Sequence, residues 1–243
     1  MGGAPSITGF RIVPEAQQSK TLVPIVGATQ PLPNASAATP ATISFSPDGR
    51  AILVTEPAAN QIVSFAVGQS GQVSLVNTFA VMGSGPFGLA FSQNSLALTA
   101  NTANGAPQSG SMSSYRVSET AELTPASLPM MDNQTASTWA TVTENGRIAF
   151  TSNTMSGTIS SYAVSAKTGS LTLVQPTAAS LVAQDGSSLM PAGMALSNEG
   201  RYLYVRNGGN QTVSGFLVRS DGSLTLIAQA SGLPNTAAGI AAR

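Results

Sequence analysis

Apolar and polar positions alternate along this chain in short bursts and nowhere keep a helical spacing. "ATISF" and "AILVTE" stand on either side of a turn, "SPDGR" at 46–50. The corner returns as "TENGR" at 143–147, "SNEGR" at 197–201 and, shortened, "SQNS" at 92–95. Aligning Phe45, Phe91, Val142 and Leu196 gives steps of 46, 51 and 54 residues. A second pattern falls between the corners: an apolar residue, two mostly small ones, then an aromatic ring. The rings are Phe10, Phe65, Tyr115, Tyr162 and Phe216, at steps of 55, 50, 47 and 54. A polar turn and a further apolar run follow, as in "GQVSLV", "GSLTLV" and "GSLTLI".

The repeating unit is therefore four short strands, A to D, joined by tight turns. Val, Ile, Phe and Tyr favour the strands, and Gly, Asn and Asp favour the corners. Units of this kind at ~40–50 residues predict an all-β fold, a β-propeller of four-stranded antiparallel blades. Complete blades are expected at about 40–82, 86–128, 138–183 and 190–230, with a partial blade at 1–30 and a closing strand at 235–243. The whole is expected to be one propeller domain, either a ring of five or an arc of a larger ring. Strand A should line the central channel, where Gly88, Ala90, Ala140, Gly193, Ala195, Gly239 and Ala241 allow close approach. The strand C rings should fill the space between blades. Asp48 and Arg50 then belong to a hairpin corner, because equivalent residues recur in other blades and Asp-Gly or Asn-Gly suits the turn.

Composition removes several kinds of chemistry. The chain of 243 residues has no Cys and no His, which excludes disulfides, thiol chemistry, the usual zinc sites and any His-assisted nucleophile. Charged residues make up only 8%, against ~25% in ordinary domains, and ten basic residues balance ten acidic ones. Nothing here favours nucleic acid or a membrane surface. No apolar run approaches the ~18 residues of a membrane helix. The start lacks a signal-peptide pattern, which leaves the compartment open: cytoplasmic, or secreted or periplasmic if this is part of a longer chain. "MGGAPS" fits a myristoylation pattern, but a Gly-rich lead-in to a strand explains the same letters.

The ordered motifs "FSPDGR", "VTE", "NQIVSFAV" and "GQVSLV" resemble the lactonase-type seven-bladed propeller family, which includes 6-phosphogluconolactonases and carboxymuconate cyclases. The resemblance runs from about residue 5 to 243 and rests on scaffold motifs. It implies seven blades, with a C-terminal A strand completing a blade begun at the N-terminus, so this chain would hold an incomplete copy. It also implies action on a small lactone or carboxylate. Cyclase-like relatives are expected to use His with Arg and Glu, and with no His here no catalytic residue is carried over.

Candidate chemistry lies at the far end of strand B, where Glu56, Asn101, Asn153 and Asn207 are equivalent. Asn there either holds the B–C turn or faces a ligand at the channel mouth. Glu56 breaks the Asn series. A carboxylate facing amides suits a general base, or Ca²⁺ at the channel mouth as the one cofactor considered. Arg206 stands where other blades have Thr55, Ala100 and Ser152. It suits an anionic carboxylate or phosphate, or else pairs with a loop acid such as Asp185. Trp139 opens an A strand at the same rim and either stacks a ligand or plugs the rim. Asp132, in the long D–A loop at 128–138, is an outside candidate. Two functions follow: a lactonase-like enzyme using Glu56 as base and Arg206 as anion holder, or a non-catalytic propeller whose rim binds a protein or small ligand.

Overall fold

The corners take the geometry their sequence demands. Asp48 Oδ1 accepts from Ser46 Oγ at 2.5 Å and from Arg50 N–H at 3.1 Å, and Gly49 turns the chain at φ +70°. These donors hold the Asp48 carboxyl below its ordinary range. Asn145 repeats the arrangement, accepting from Thr143 Oγ1 at 2.8 Å and Arg147 N–H at 3.0 Å, with Gly146 at φ +67°. Arg50 lies 4.0 Å from Glu119 on the surface and forms no pair with Asp48. The corner is structural.

The computed structural model describes residues 5–14, 20–33 and 38–242. Strands β1 (Ser6–Pro14) and β2 (Lys20–Pro31) form a hairpin. Blade 1 is β3 (Thr42–Phe45), β4 (Ala51–Glu56), β5 (Gln61–Val67) and β6 (Val73–Ala80). Blade 2 is β7 (Pro86–Phe91), β8 (Leu96–Asn101), β9 (Ser111–Val117) and β10 (Leu123–Pro125), with β11 (Met130–Met131) also on β9. Blade 3 is β12 (Ser137–Val142), β13 (Ile148–Asn153), β14 (Thr158–Val164) and β15 (Leu171–Ser180). Blade 4 is β16 (Pro191–Leu196), β17 (Tyr202–Asn207), β18 (Thr212–Val218) and β19 (Leu224–Ser231). Each blade is an antiparallel sheet in chain order, the all-β propeller architecture that the repeats predict. No helix among the described residues is long and apolar enough to cross a membrane.

The core is a series of joints between successive blades. Tyr115 packs back onto Leu53 and Ile62 of blade 1, Tyr162 onto Leu98 and Met112 of blade 2, and Phe216 onto Phe150 and Ile159 of blade 3. Phe65 packs onto Ile7 of the hairpin. Four of the five strand C rings thus fill the gaps between sheets; Phe10 of β1, expected to do the same, is exposed. Hydroxyls add directional bonds across the joints. Thr55 Oγ1 donates to the Phe87 carbonyl at 2.6 Å, and Ser152 Oγ to the Ala192 carbonyl at 2.8 Å. At Gly88 the inner strands come so close that a Cβ would stand 2.6 Å from the backbone at Thr138, Trp139 and Ala140.

The two ends of the chain pack against different blades. The hairpin packs beside blade 1, and residues 238–240 run over Gly193 of β16. Residues 235–242 form no strand, where the sequence led us to expect a closing one, and residue 243 lies outside the described residues. No backbone hydrogen bond joins them to β1 among the described residues. Residues 1–4, which carry most of the "MGGAPS" motif, also lie outside the described residues.

Candidate functional site

Glu56, Asn101, Asn153 and Asn207 end β4, β8, β13 and β17, and all four are fully buried. Each Asn pins its own B–C hairpin. Asn153 Nδ2 donates to Thr158 Oγ1 at 3.0 Å and Ser160 Oγ at 2.8 Å. Asn207 Nδ2 does the same to Thr212 and Ser214, at 2.9 Å each. Asn101 Nδ2 reaches Ser111 at 3.1 Å and Ser113 at 2.8 Å. The Nδ2 groups are thus used within their own sheets, while Oδ1 of Asn101 and Asn207 is buried and unbonded.

Blade 1 rewrites this arrangement with its polarity reversed. A carboxylate cannot donate, so the hydroxyl at the start of strand C is replaced by Gln61, whose Nε2 donates to Glu56 Oε2. The second hydroxyl, two residues on, becomes Val63. Glu56 Oε1 is left buried with no partner. Burial pushes the Glu56 carboxyl above its ordinary range, and the Gln61 bond only partly offsets that. The folded state therefore holds this proton to higher pH than the unfolded chain does. Stability should be full below the unfolded carboxyl value, fall as pH rises through the folded one, and level off above it. Chemical denaturation at several pH values checks this: Glu56→Gln should flatten that slope.

Arg206 has an intermediate exposure, with its Nε buried and unbonded. It forms no ion pair with Asp185 or any other carboxylate among the described residues, so the pairing expected as its alternative role is absent. Asp185 instead accepts from Ser187 N–H and Oγ. By repeat position Arg206 stands where Thr55 and Ser152 reach for the next inner strand. It belongs to blade 4 and Glu56 to blade 1, and no ion pair joins the two among the described residues. Trp139 is partly buried against the cluster of Phe150, Met194 and Val205 between blades 3 and 4.

Asp132 turns out to be a hub. It is fully buried, and its Oδ2 accepts from Ser137 Oγ and Tyr162 O–H, both at 2.7 Å, and from Thr151 Oγ1 at 3.5 Å. Its Oδ1 accepts from Gln134 N–H at 2.9 Å. Burial and the Asp132 charge push the Tyr162 hydroxyl well above its ordinary range, so it stays a donor. A cavity of about 600 Å³ opens at the opposite, corner end of the inner strands, lined by Phe91, Gln93, Thr143, Glu144, Leu196 and Glu199. Sequence reasoning passed over Glu144 and Glu199. The available signal was a carboxylate in the A–B corner of two successive blades.

The sequence matches the family described as "Lactonase, 7-bladed beta-propeller" over residues 6–130 and 109–234. The chain belongs to this lactonase propeller family. No curated protein matches it. Among solved structures, this lactonase-family chain is similar to a protein from Lactobacillus plantarum at 19% identity and TM-score 0.67, covering 94% of this chain and 66% of that one. A functionally unknown protein from Desulfotomaculum acetoxidans gives 16% and 0.69, covering 93% and 63%. A protein from Bacteroides fragilis, provisionally named 6-phosphogluconolactonase, gives 19% and 0.67, covering 91% and 63%. These likenesses concern the fold. The lactonase-family chain spans slightly under two thirds of the length of each of the three.

Proposed function

We propose that this chain acts on a small lactone, opening it to the hydroxy acid, with Glu56 as the general base. The observation that carries this reading is the free Oε1 of Glu56: it is the one carboxylate in the strand B series, it lacks a partner, and burial raises its proton affinity. Family membership supports a lactone as the substrate class. In this step a water gives its proton to Oε1 as its oxygen bonds to the lactone carbonyl carbon. The ring C–O bond then breaks, and the leaving oxygen takes up a proton to give the hydroxy acid. Arg206, with no carboxylate beside it among the described residues, suits a carboxylate or phosphate on the ligand. Because the two lie on different blades, the roles are tested separately. Acid release from a panel of lactones should fall about 100-fold or more in Glu56→Gln, the lower end of general-base contributions. Arg206→Leu should raise KM and leave kcat in place. Unchanged turnover in Glu56→Gln removes the base.

A second reading, a non-catalytic binding propeller, is favoured by burial. Glu56 exposes no surface, and the Nδ2 groups of the three Asn are bonded within their own hairpins. A folded wild-type chain that releases no acid from any lactone in the panel decides for this reading.

A further inference from the structure

The joints of this molecule define what a complete blade interface looks like, and both ends of the chain depart from it in complementary ways. At each internal joint the strand C ring is buried under the preceding blade. Phe10, the equivalent ring of β1, is 48% exposed. The inner-strand residues Leu89, Ala140 and Met194 are buried, whereas the equivalent Ile43 is 55% exposed and its neighbour Phe45 58%. These side chains, with Ile7, Ile12 and Ile52, line a cavity of about 480 Å³ that has no charged residue in its walls. One edge of β1 borders it and is unpaired, since β1 bonds only to β2. The hairpin therefore supplies outer strands with no inner strands beside them.

The opposite end supplies the reverse. Ala238 and Ile240 lie over Gly193 of β16 at the repeat position where Thr138 and Ala140 lie over Gly88 of β7, though more loosely: a Cβ at Gly193 would be 3.3 Å from the Ile240 Cγ2 and 3.7 Å from the Ala238 carbonyl, against 2.6 Å from backbone at Gly88. That is the place of an inner strand. Within 234–242 the one backbone bond among the described residues is a turn, Ala237 N–H to the Pro234 carbonyl. The segment reads "PNTAAGIAA", uncharged and built mainly of small residues, as a close approach between strands requires.

We propose that two copies of this chain join head to tail, the 234–242 segment of one entering the apolar slot beside β1 and β3 of the other. The contact continues the blade-on-blade packing already present at the internal joints. A second copy is the fitting occupant because it carries the complementary end, and within one chain no backbone bond brings the two ends together among the described residues. The contact is heterologous, so it leads either to a closed ring of copies or to longer chains.

Sedimentation velocity of the full chain over a wide concentration range tests this. Wild type should shift to dimer or larger as concentration rises. Phe45→Asp blocks the slot and Ile240→Asp blocks the segment. Phe45 is exposed, so a folded β spectrum should be retained, and Ile240→Asp is checked the same way. Each variant alone should sediment as monomer. An equal mixture should form a dimer and stop there, because the Ile240→Asp slot is free to accept the Phe45→Asp segment and only one joint can form. A wild type monomeric throughout, an Ile240→Asp chain that still self-associates, or a mixture that stays monomeric would each overturn the proposal.

Discussion

Replacing Gly88 by Val should cost about 3 kcal/mol or more, the upper end of overpacking penalties. Gly88 sits on β7 with the β12 backbone across from it, and even a first carbon would stand 2.6 Å from Thr138 O, Trp139 Cα and Ala140 N. A flexible side chain could swing aside; a backbone held in its own sheet cannot. The strain would separate blades 2 and 3, which are also sealed by Leu98, Met112 and Tyr162. Gly193→Ala is the matched control. Its added carbon would meet mainly the Ile240 Cγ2 tip at 3.3 Å, and the cost should stay under about 1 kcal/mol. Urea midpoints of the two variants, with unchanged slope, measure the difference.

Asp132→Ala should cost about 3 kcal/mol, the upper end for buried donors that lose their acceptor. The carboxylate takes bonds from Ser137, Tyr162, Thr151 and the Gln134 backbone, all in the joint between blades 2 and 3. Removing it leaves the Tyr162 hydroxyl and the Gln134 N–H without the acceptor they use, while Ser137 and Thr151 can still turn to Asn153 Oδ1, at 2.8 and 3.3 Å. Tyr162→Phe removes a single donor and leaves the others in place, so about 1–2 kcal/mol is expected. The ratio of the two losses, read from thermal or urea unfolding, separates a hub from a row of independent bonds.

The blades were legible because their information is local. A turn such as Asp48-Gly49, a strand with alternating apolar positions and one ring per unit can be read without knowing what lies opposite. The burial of Phe65, Tyr115, Tyr162 and Phe216 followed from that repeat alone. The candidate site was less legible because its meaning depends on partners. Glu56 looked like an anomaly at a rim; across the hairpin, Gln61 and Val63 change with it and keep part of its bonding within the sheet. Asp132 read as a loop residue because three of its donors, Ser137, Thr151 and Tyr162, come from three different strands. Phe10 matched the pattern of the other rings, yet its surroundings differ, since no blade precedes the hairpin among the described residues.

Each blade here leans only on the ones before and after it. Cohesion in such a row is passed from neighbour to neighbour, so no part of the molecule acts as a keystone for the rest. Fraying can therefore begin at either end, with the β1–β2 hairpin or with the strip beyond β19, while the central pair of blades, locked through Gly88 and Asp132, keeps its shape longest.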